Sequence, residues 1–133
     1  MTAIGSRAEA TRARWLETLE RYREDRDQPG SEAYWSPHLD TASRDELRAI
    51  QDAKLAAVVP FLYENSAFYR RRFERLGLVP DDIKGVDDLI AKWPVIDKLE
   101  MAADAAEHPP YGTYTAMSDA VWAARGWMLF SSS

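Results

Sequence analysis

The residues best suited to bind a ligand lie late in the sequence, where three serines follow a contiguous apolar run. The run consists of Trp127, Met128, Leu129 and Phe130, and the serines are Ser131, Ser132 and Ser133. An uninterrupted apolar run of this length is typical of a strand buried on both faces. In a loop that follows such a strand, free backbone N–H groups can face an anion, which makes a phosphate-binding loop one interpretation. By itself, however, a serine-rich stretch is more often a disordered terminus.

The other residues that could do chemistry lack a suitable arrangement. His38 and His108 stand far apart in the sequence, and no carboxylate pattern near either one resembles a zinc site. The acid pairs at 81–82 and 87–88 come at predicted helix starts, where the helix dipole accounts for them without catalysis. The chain has no cysteine, and its six glycines form neither a dinucleotide-binding nor a P-loop motif. We therefore predict no catalytic residue and no metal ligand.

Composition and charge narrow the class of protein further. Hydrophobic residues make up 46% of the 133 residues and charged residues 29%, a balance that argues against wholesale disorder. The formal net charge of −5 argues against nucleic acid as the main partner. Arg70, Arg71 and Arg72 are predicted to form a solvated helix face.

No signal peptide or membrane span is predicted, because about 18 consecutive apolar residues are found nowhere. A cytoplasmic location is the default expectation.

The first predicted element is an amphipathic helix over residues 6 to 26. Trp15, Leu16, Leu19 and Tyr22 recur at spacings of three and four, which places them on one helical face. The favoured interpretation is that this face packs on the chain's own core. A helix that docks on another protein is the alternative, since a narrow aromatic and aliphatic stripe also suits a partner's groove.

After a Pro-Gly break and an extended segment over residues 33 to 40, the sequence predicts further helices. Ser43 and Glu46 form a capping box before a long apolar period, in which Pro60 predicts a bend or a break. A new helix is expected after Asn65 or Ser66, with Gly77 as its C-cap. Short helical pieces follow, and the last stops at the Pro109-Pro110 pair.

The end of the chain is predicted to hold one or two strands, so the fold class is mainly α with a short β portion at the C-terminal end. One pair of strands does not form a stable sheet by itself. Trp122 and the apolar run at residues 127 to 130 are therefore expected to pack against a partner that this sequence does not contain.

Several motifs in a fixed order resemble the N-terminal region of the phenylacetate–CoA ligase branch of the adenylate-forming enzymes, which are AMP-dependent acyl-CoA synthetases. The match covers roughly residues 43 to 133. The matching positions are Tyr63, Glu64, Asn65, Phe68, Tyr69 and Arg70; Gly77, Pro80, Asp82 and Ile83; Asp88, Leu89, Pro94, Asp97 and Lys98; and Pro110 and Gly112. In that family a strand enters a Ser-Ser-Gly-Thr-Thr-Gly loop, of which only the serines are present here.

The resemblance implies a fold, a division of the chain and a site. The fold is the N-terminal part of the α/β large domain of an adenylate-forming enzyme. Residues 1–34 are expected to form a helical N-terminal extension, residues 35–120 a helical N-terminal region, and residues 121–133 the first strands of a truncated nucleotide-binding core. Ser132 and Ser133 are expected to open the loop that holds the ATP phosphates.

The resemblance also implies a function for a longer parent protein. That parent is expected to use ATP, Mg²⁺ and CoA to convert a carboxylic acid through an acyl-adenylate into a CoA thioester, and to form a homo-oligomer. The chain alone is expected to be inactive and to need no cofactor, with Trp122 and residues 127 to 130 contacting the remainder of the same enzyme or another protein. The alternative is a stand-alone helical interaction module, or a subunit of a split ligase.

Overall fold

The computed structural model describes residues 3–23, 33–118, 120 and 123–124, and the elements within these ranges are helical. Six α-helices and one 3₁₀ turn follow one another along the described chain. They are α1 (Ala3–Arg21), α2 (Pro37–Asp40), α3 (Arg44–Asn65), α4 (Ala67–Leu76), the 3₁₀ turn (Pro80–Asp82), α5 (Val86–Lys92) and α6 (Lys98–Glu107).

The apolar cluster of the molecule lies where α3, α4 and α5 meet. Its buried members are Val59, Phe73 and Ile83, which are 5%, 2% and 2% exposed. Tyr63 meets the Phe73 ring edge-on at a centroid distance of 5.4 Å, and the Trp93 ring lies 4.5 Å from Phe73 on another side. Phe73 therefore contributes the central side chain, as expected for an aromatic residue on the apolar face of an amphipathic helix.

The ends of α3 and α4 confirm the capping signals in the sequence. The Ser43 hydroxyl accepts the N–H of Glu46, and the Glu46 carboxylate accepts the N–H of Ser43. Gly77 ends α4 in the left-handed conformation, with a φ of 67°. Pro60 lies inside α3 without splitting it, so the chain tolerates the loss of one helical N–H donor at that position.

No residue separates α3 from α4 except Ser66. This serine is the C-cap of α3, with its N–H bonded to the carbonyl of Leu62, and also the N-cap of α4, with its hydroxyl accepting the N–H of Tyr69. Its backbone is extended, with φ −126° and ψ 119°, which turns the chain sharply between two helices. The predicted restart at this point is confirmed.

Helix α1 packs on α3, which confirms the interpretation that this helix covers its own chain. The indole of Trp15 stacks on Phe61 at a centroid distance of 6.4 Å and an interplanar angle of 22°. The predicted face is only partly correct, because Leu16 and Leu19 are 58% and 40% exposed. The division into an extension over residues 1–34 and a following region stays a prediction.

Two sequence predictions differ from the structure. Residues 37 to 40 form the short helix α2 rather than an extended segment, because Pro37 suits a first helical position and the Asp40 carboxylate accepts the N–H of Ser36. The predicted β portion is not observed in the described part of the chain, where Ala120, Ala123 and Ala124 have helical backbone. The remainder of that predicted portion lies outside the described residues.

Among the described helices, none combines the length and the apolar character needed to cross a membrane.

Candidate functional site: a polar junction at residues 113 to 116

The predicted nucleotide loop and partner surface lie outside the described residues. This applies to Ser132 and Ser133, which the resemblance assigns to the ATP phosphate loop. It applies equally to Trp122, Trp127, Met128, Leu129 and Phe130. Both assignments stay predictions, and the sites that can be built from geometry lie between residues 8 and 117.

The histidines and the acid pairs do not form a catalytic arrangement. His38 is exposed, with Nδ1 lying 3.4 Å from the Ser36 hydroxyl, and His108 follows the end of α6. Within the described ranges, no group of three or more potential ligands is placed to hold a metal ion. Asp82 and Asp88 instead accept backbone N–H groups, those of Val79 and Lys84. These local contacts agree with the structural explanation of the acid pairs.

Asp88 illustrates how local contacts account for a titratable group in this chain. The Lys92 ammonium donates to its carboxylate at 2.8 Å, and the N–H of Lys84 donates at 3.1 Å. The Lys92 hydrogen bond, followed by that from the Lys84 N–H, lowers the pKa of the Asp88 carboxyl. A carboxyl held in the ionised form at a helix start has a structural role, and a general acid needs the opposite shift.

The prediction that the three-arginine run forms a solvated face is only partly correct, because Arg71 is exposed whereas Arg72 is buried. The Arg70 guanidinium donates to the carbonyl oxygens of Tyr63 and Glu64 at 3.0 and 2.9 Å. Arg71 pairs with a carboxylate on α6, as described below, although its side chain stays about half exposed. Arg72 is the extreme case, with a side chain only 4% exposed. The run therefore joins α4 to neighbouring parts of the chain.

Arg72 is surrounded by partners from the segment that joins α5 to α6. Its guanidinium pairs with Glu100, donates to the carbonyls of Pro94 and Val95 at 2.7 and 3.1 Å, and lies 5.5 Å from the centre of the Trp93 ring. The hydrogen bond from Arg75, followed by that from Arg72, lowers the pKa of the Glu100 carboxyl. An arginine with this number of fixed partners holds α6 against α4 in one orientation.

The most densely bonded site is a polar junction, which we define as Ser66, Arg71, Asp104 and the loop at residues 113 to 116. The Ser66 hydroxyl lies 3.0 and 3.1 Å from the carbonyl oxygens of Thr113 and Tyr114, between which it shares its proton. The carbonyl of Thr113 also accepts the N–H of Phe68 at 3.2 Å. The start of α4 therefore binds this loop through both side chain and backbone.

Asp104 binds the same loop from the side of α6. Its carboxylate accepts the backbone N–H of Thr113 at 2.5 Å, the Thr113 hydroxyl at 2.8 Å and the Arg71 guanidinium at 2.7 Å. Asp104 is 6% exposed. Burial raises the pKa of its carboxyl, but the hydrogen bonds from Thr113 and the charge of Arg71 outweigh this effect, and the net pKa is lowered. Asp104 is thus a buried, ionised acceptor.

Gly112 makes the close approach to Asp104 possible. Its φ of 74° lies in the left-handed region, and a Cβ at this position would lie 2.5 Å from Oδ2 of Asp104. Both the backbone conformation and the available space therefore require glycine. The resemblance singled out Gly112 as part of a family loop, and the structure gives a physical reason for its presence.

Helix α1 reaches the polar junction through Arg12 and Asn65. The Arg12 guanidinium donates to Oδ1 of Asn65 at 3.0 Å and to the carbonyl of Ala116 at 3.3 Å. The Asn65 amide in turn donates to the carbonyls of Ala8 and Phe61 at 3.2 and 3.0 Å. The end of α3, the loop and α1 are thereby joined by two side chains.

The polar junction is built to fix a path of the chain rather than to perform a reaction. Its hydroxyl, guanidinium and carboxylate groups bond to one another or to backbone atoms, and no activated nucleophile stands among them. Sequence reasoning missed Asp104, because an aspartate within an alanine-rich helix carries no local signal. The one available indication was Gly112 in a short loop after the predicted helix.

No family model matches the chain, but several known proteins do, among them three phenylacetate–coenzyme A ligases. The protein of Thermus thermophilus is 34% identical over 80 residues, which is 60% of this chain and 17% of that protein. The Aromatoleum evansii protein is 40% identical over 76 residues, and the Escherichia coli K12 protein is 37% identical over 76 residues; each match covers 57% of this chain and 16% of the relative. The matched segment thus spans about a sixth of the length of these relatives.

Solved structures of 2-hydroxyisobutyryl-CoA ligase have the same fold over most of this chain. The postadenylation state of that enzyme, in complex with 2-HIB-AMP, has a TM-score of 0.67 at 30% sequence identity, covering 80% of this chain and 22% of the ligase chain. Its thioesterification state, in complex with 2-HIB-AMP and CoA, has a TM-score of 0.62 at 30% sequence identity. That match covers 76% of this chain and 20% of the ligase chain. The chain is therefore similar in sequence to a segment of the phenylacetate–coenzyme A ligases, and similar in fold to a segment of 2-hydroxyisobutyryl-CoA ligase.

Proposed function

We propose that this chain is the N-terminal segment of an ATP-dependent ligase that joins a carboxylic acid to CoA. In the first step a carboxylate oxygen attacks the α-phosphorus of ATP, which forms an acyl-adenylate and releases pyrophosphate. In the second step the CoA thiolate attacks the acyl carbon, and AMP leaves. The parent requires ATP and CoA, with Mg²⁺ to offset the phosphate charge.

The observation that carries this proposal is the agreement of the sequence comparison with the structure comparison. Relatives at 34–40% identity are named phenylacetate–coenzyme A ligases, and the neighbouring structures contain an acyl-adenylate and CoA bound to 2-hydroxyisobutyryl-CoA ligase. The two names differ in the acid, one aromatic and one a small branched hydroxy acid. The proposal therefore extends to the reaction type and leaves the acid to experiment.

Within such a ligase, the described helices have a supporting role. The polar junction fixes the loop at residues 113 to 116, and Ser132 and Ser133, the proposed start of the ATP phosphate loop, follow later in the sequence. Among the described residues, no group of three or more potential ligands is placed to hold a metal ion. We propose that residues 1–133 alone form no acyl-adenylate, because they include only the serines of the Ser-Ser-Gly-Thr-Thr-Gly loop that the resemblance assigns to the ATP phosphates.

The experiment compares purified residues 1–133 with the same chain extended through its native downstream coding sequence. Pyrophosphate release is measured with ATP, Mg²⁺ and a panel containing phenylacetate, other aryl acids and 2-hydroxyisobutyrate, and thioester formation is followed after CoA is added. We expect acid-dependent pyrophosphate release by the extended protein and none by residues 1–133. The Escherichia coli phenylacetate–coenzyme A ligase serves as the positive control.

Three results would change the proposal. Turnover by residues 1–133 would contradict the inactivity of the segment. An extended protein that releases no pyrophosphate with any acid would contradict the ligase assignment. A native reading frame that stops after Ser133 would favour the alternative functions. In that case, separately encoded ligase polypeptides are added to the chain. A split-ligase subunit would then restore turnover, whereas an interaction module would not.

A further inference from the structure

We propose that the outward face of α6 is covered by an apolar surface of the downstream part of the ligase polypeptide. The inference rests on the proposed function, because only a longer parent supplies that part, and it adds a docking surface to the proposal. We define the α6 outer face by its four exposed apolar residues, which are Leu99, Ala102, Ala103 and Ala106.

The α6 outer face is a continuous stripe along one side of the helix. Because successive helical residues are rotated by about 100°, its four residues fall within an arc of roughly 100°. A surface helix usually turns an apolar stripe of this width toward a hydrophobic core. Leu99 is nevertheless 77% exposed, and the three alanines are exposed as well. The apolar stripe of α6 therefore faces away from the described part of the chain.

The polar side of α6 explains this orientation. Glu100 and Asp104 pair with three arginines of α4, so both carboxylates of α6 point toward that helix. They lie roughly 100–140° around the helix axis from Leu99. The apolar stripe cannot turn toward α4 while these ion pairs are made. Charge pairs therefore fix the orientation of α6 and leave its outer face for a different contact.

Exposed apolar surface also precedes the first turn of α6. Val95 stands two positions before the N-cap Asp97 and is 91% exposed, although its carbonyl accepts a hydrogen bond from Arg72 at 3.1 Å. Single exposed apolar side chains are common in soluble proteins and need no explanation. A stripe of four, preceded by an almost fully exposed valine, is instead typical of a surface that contacts other polypeptide.

The occupant is argued from the amount of polypeptide that accompanies this fold in a ligase. In 2-hydroxyisobutyryl-CoA ligase the matched segment is 22% of the chain, so more than three-quarters of that polypeptide lies outside it. Polypeptide tethered to the same chain is present at a high effective concentration, whereas a second copy must be recruited from solution. The short alanine side chains also allow a packed element to approach the helix backbone closely. We therefore assign the α6 outer face to the downstream polypeptide rather than to a second copy.

The test measures the accessibility of a thiol on the α6 outer face in the extended ligase. Residues 1–133 contain no cysteine, so Ala106→Cys places a single thiol in this segment, and its maleimide labelling is followed by peptide mass spectrometry. The matched control is Ala49→Cys on α3, where the residue is exposed and its helical neighbours Asp45 and Glu46 are exposed and charged. Both rates are divided by the rate in the urea-unfolded protein. We expect the thiol at position 106 to react about 100-fold more slowly than that at position 49, because a covered group reacts only when the contact opens.

Three results would overturn the inference. The first is equal labelling rates for the two thiols in the extended ligase. The second is protection of position 106 in residues 1–133 alone, because the covering segment would then lie within those residues. The third is protection that disappears on dilution while sedimentation shows dissociation, which would assign the face to a second copy.

A second pair of variants tests the same contact by size and charge. Ala106→Arg places a long cation where the proposal has apolar packing, and it should lower the melting temperature of the extended ligase by about 5 °C more than Ala49→Arg. Equal shifts would contradict the proposed contact. Neither measurement requires turnover. An extended protein that shows both contrasts without acid-dependent turnover contradicts the proposed function alone, whereas an active ligase without them contradicts only this inference.

Discussion

Helix α4 is held by two regions of opposite character. On one side Phe73 enters the apolar cluster with Val59 and Ile83. On the other, Arg71 and the N-cap Ser66 belong to the polar junction, while Arg72 pairs with Glu100. Apolar contact is non-directional and proportional to buried area, whereas each hydrogen bond requires a defined angle and distance. We therefore expect the apolar cluster to supply most of the stability of α4 and the polar contacts to select its orientation.

The largest expected effect comes from breaking the apolar side of this comparison. Phe73→Ala removes the central ring of the cluster and should lower the free energy of unfolding by about 3–5 kcal/mol. Urea denaturation followed by circular dichroism measures the change. Leu99→Ala is the control, because Leu99 is 77% exposed and its truncation creates no cavity. Equal losses for the two variants would show that Phe73 is not central to the fold.

A smaller effect is expected from the buried arginine. Arg72→Met keeps much of the side-chain volume but leaves the Pro94 and Val95 carbonyls without their guanidinium partner and removes one of the two arginines paired with Glu100, at a cost of about 1–3 kcal/mol. Arg75→Met removes the other partner of Glu100, but the Arg75 side chain is 63% exposed, so the expected loss is below about 1 kcal/mol. Melting temperatures of the pair provide the measurement. A larger loss at Arg75 would contradict the ranking.

The smallest expected effect is a change of stability with pH, which distinguishes the two regions by their acid sensitivity. The lowered pKa of Asp104 means that its contribution to stability is complete above the ordinary carboxyl value of 3.8 and is lost as the pH falls through the lowered pKa. In Asp104→Asn this titration is absent, so the stability difference from the unsubstituted chain should narrow as the pH decreases below 3.8. Urea midpoints between neutral pH and strongly acidic pH measure this. A constant difference would argue against an ionised Asp104.

The apolar side and the helix ends could be predicted from sequence because their signals are local. The capping box at Ser43, the cap at Ser66 and the glycine C-cap at Gly77 each depend on residues within one turn of a helix end. The face of Phe73 follows from helical periodicity alone. The family resemblance likewise depends on short motifs in order, and the relatives confirm it.

The polar contacts could not be predicted because their partners are distant in sequence. Arg71 and Arg72 pair with carboxylates 33 and 28 positions further along the chain, and a local pattern carries no information about which helix will lie opposite. A run of arginines was therefore assigned to solvent. The same reason explains the error on α1, where bonds from Asn65 to Ala8 and from Arg12 to Asn65 contribute to an orientation that leaves Leu16 and Leu19 exposed.

The single-residue connection at Ser66 has a consequence for changes in chain length. Because Ser66 caps both helices, no connecting loop lies between α3 and α4 that could accommodate an insertion or a deletion. One extra helical residue at the start of α4 would rotate its side chains by about 100° around the helix axis. Phe73 would then leave the cluster while Arg71 and Arg72 turned away from α6. A substitution in this region is expected to weaken individual contacts of α4. A change in length by one residue is expected to remove its apolar and its polar contacts together.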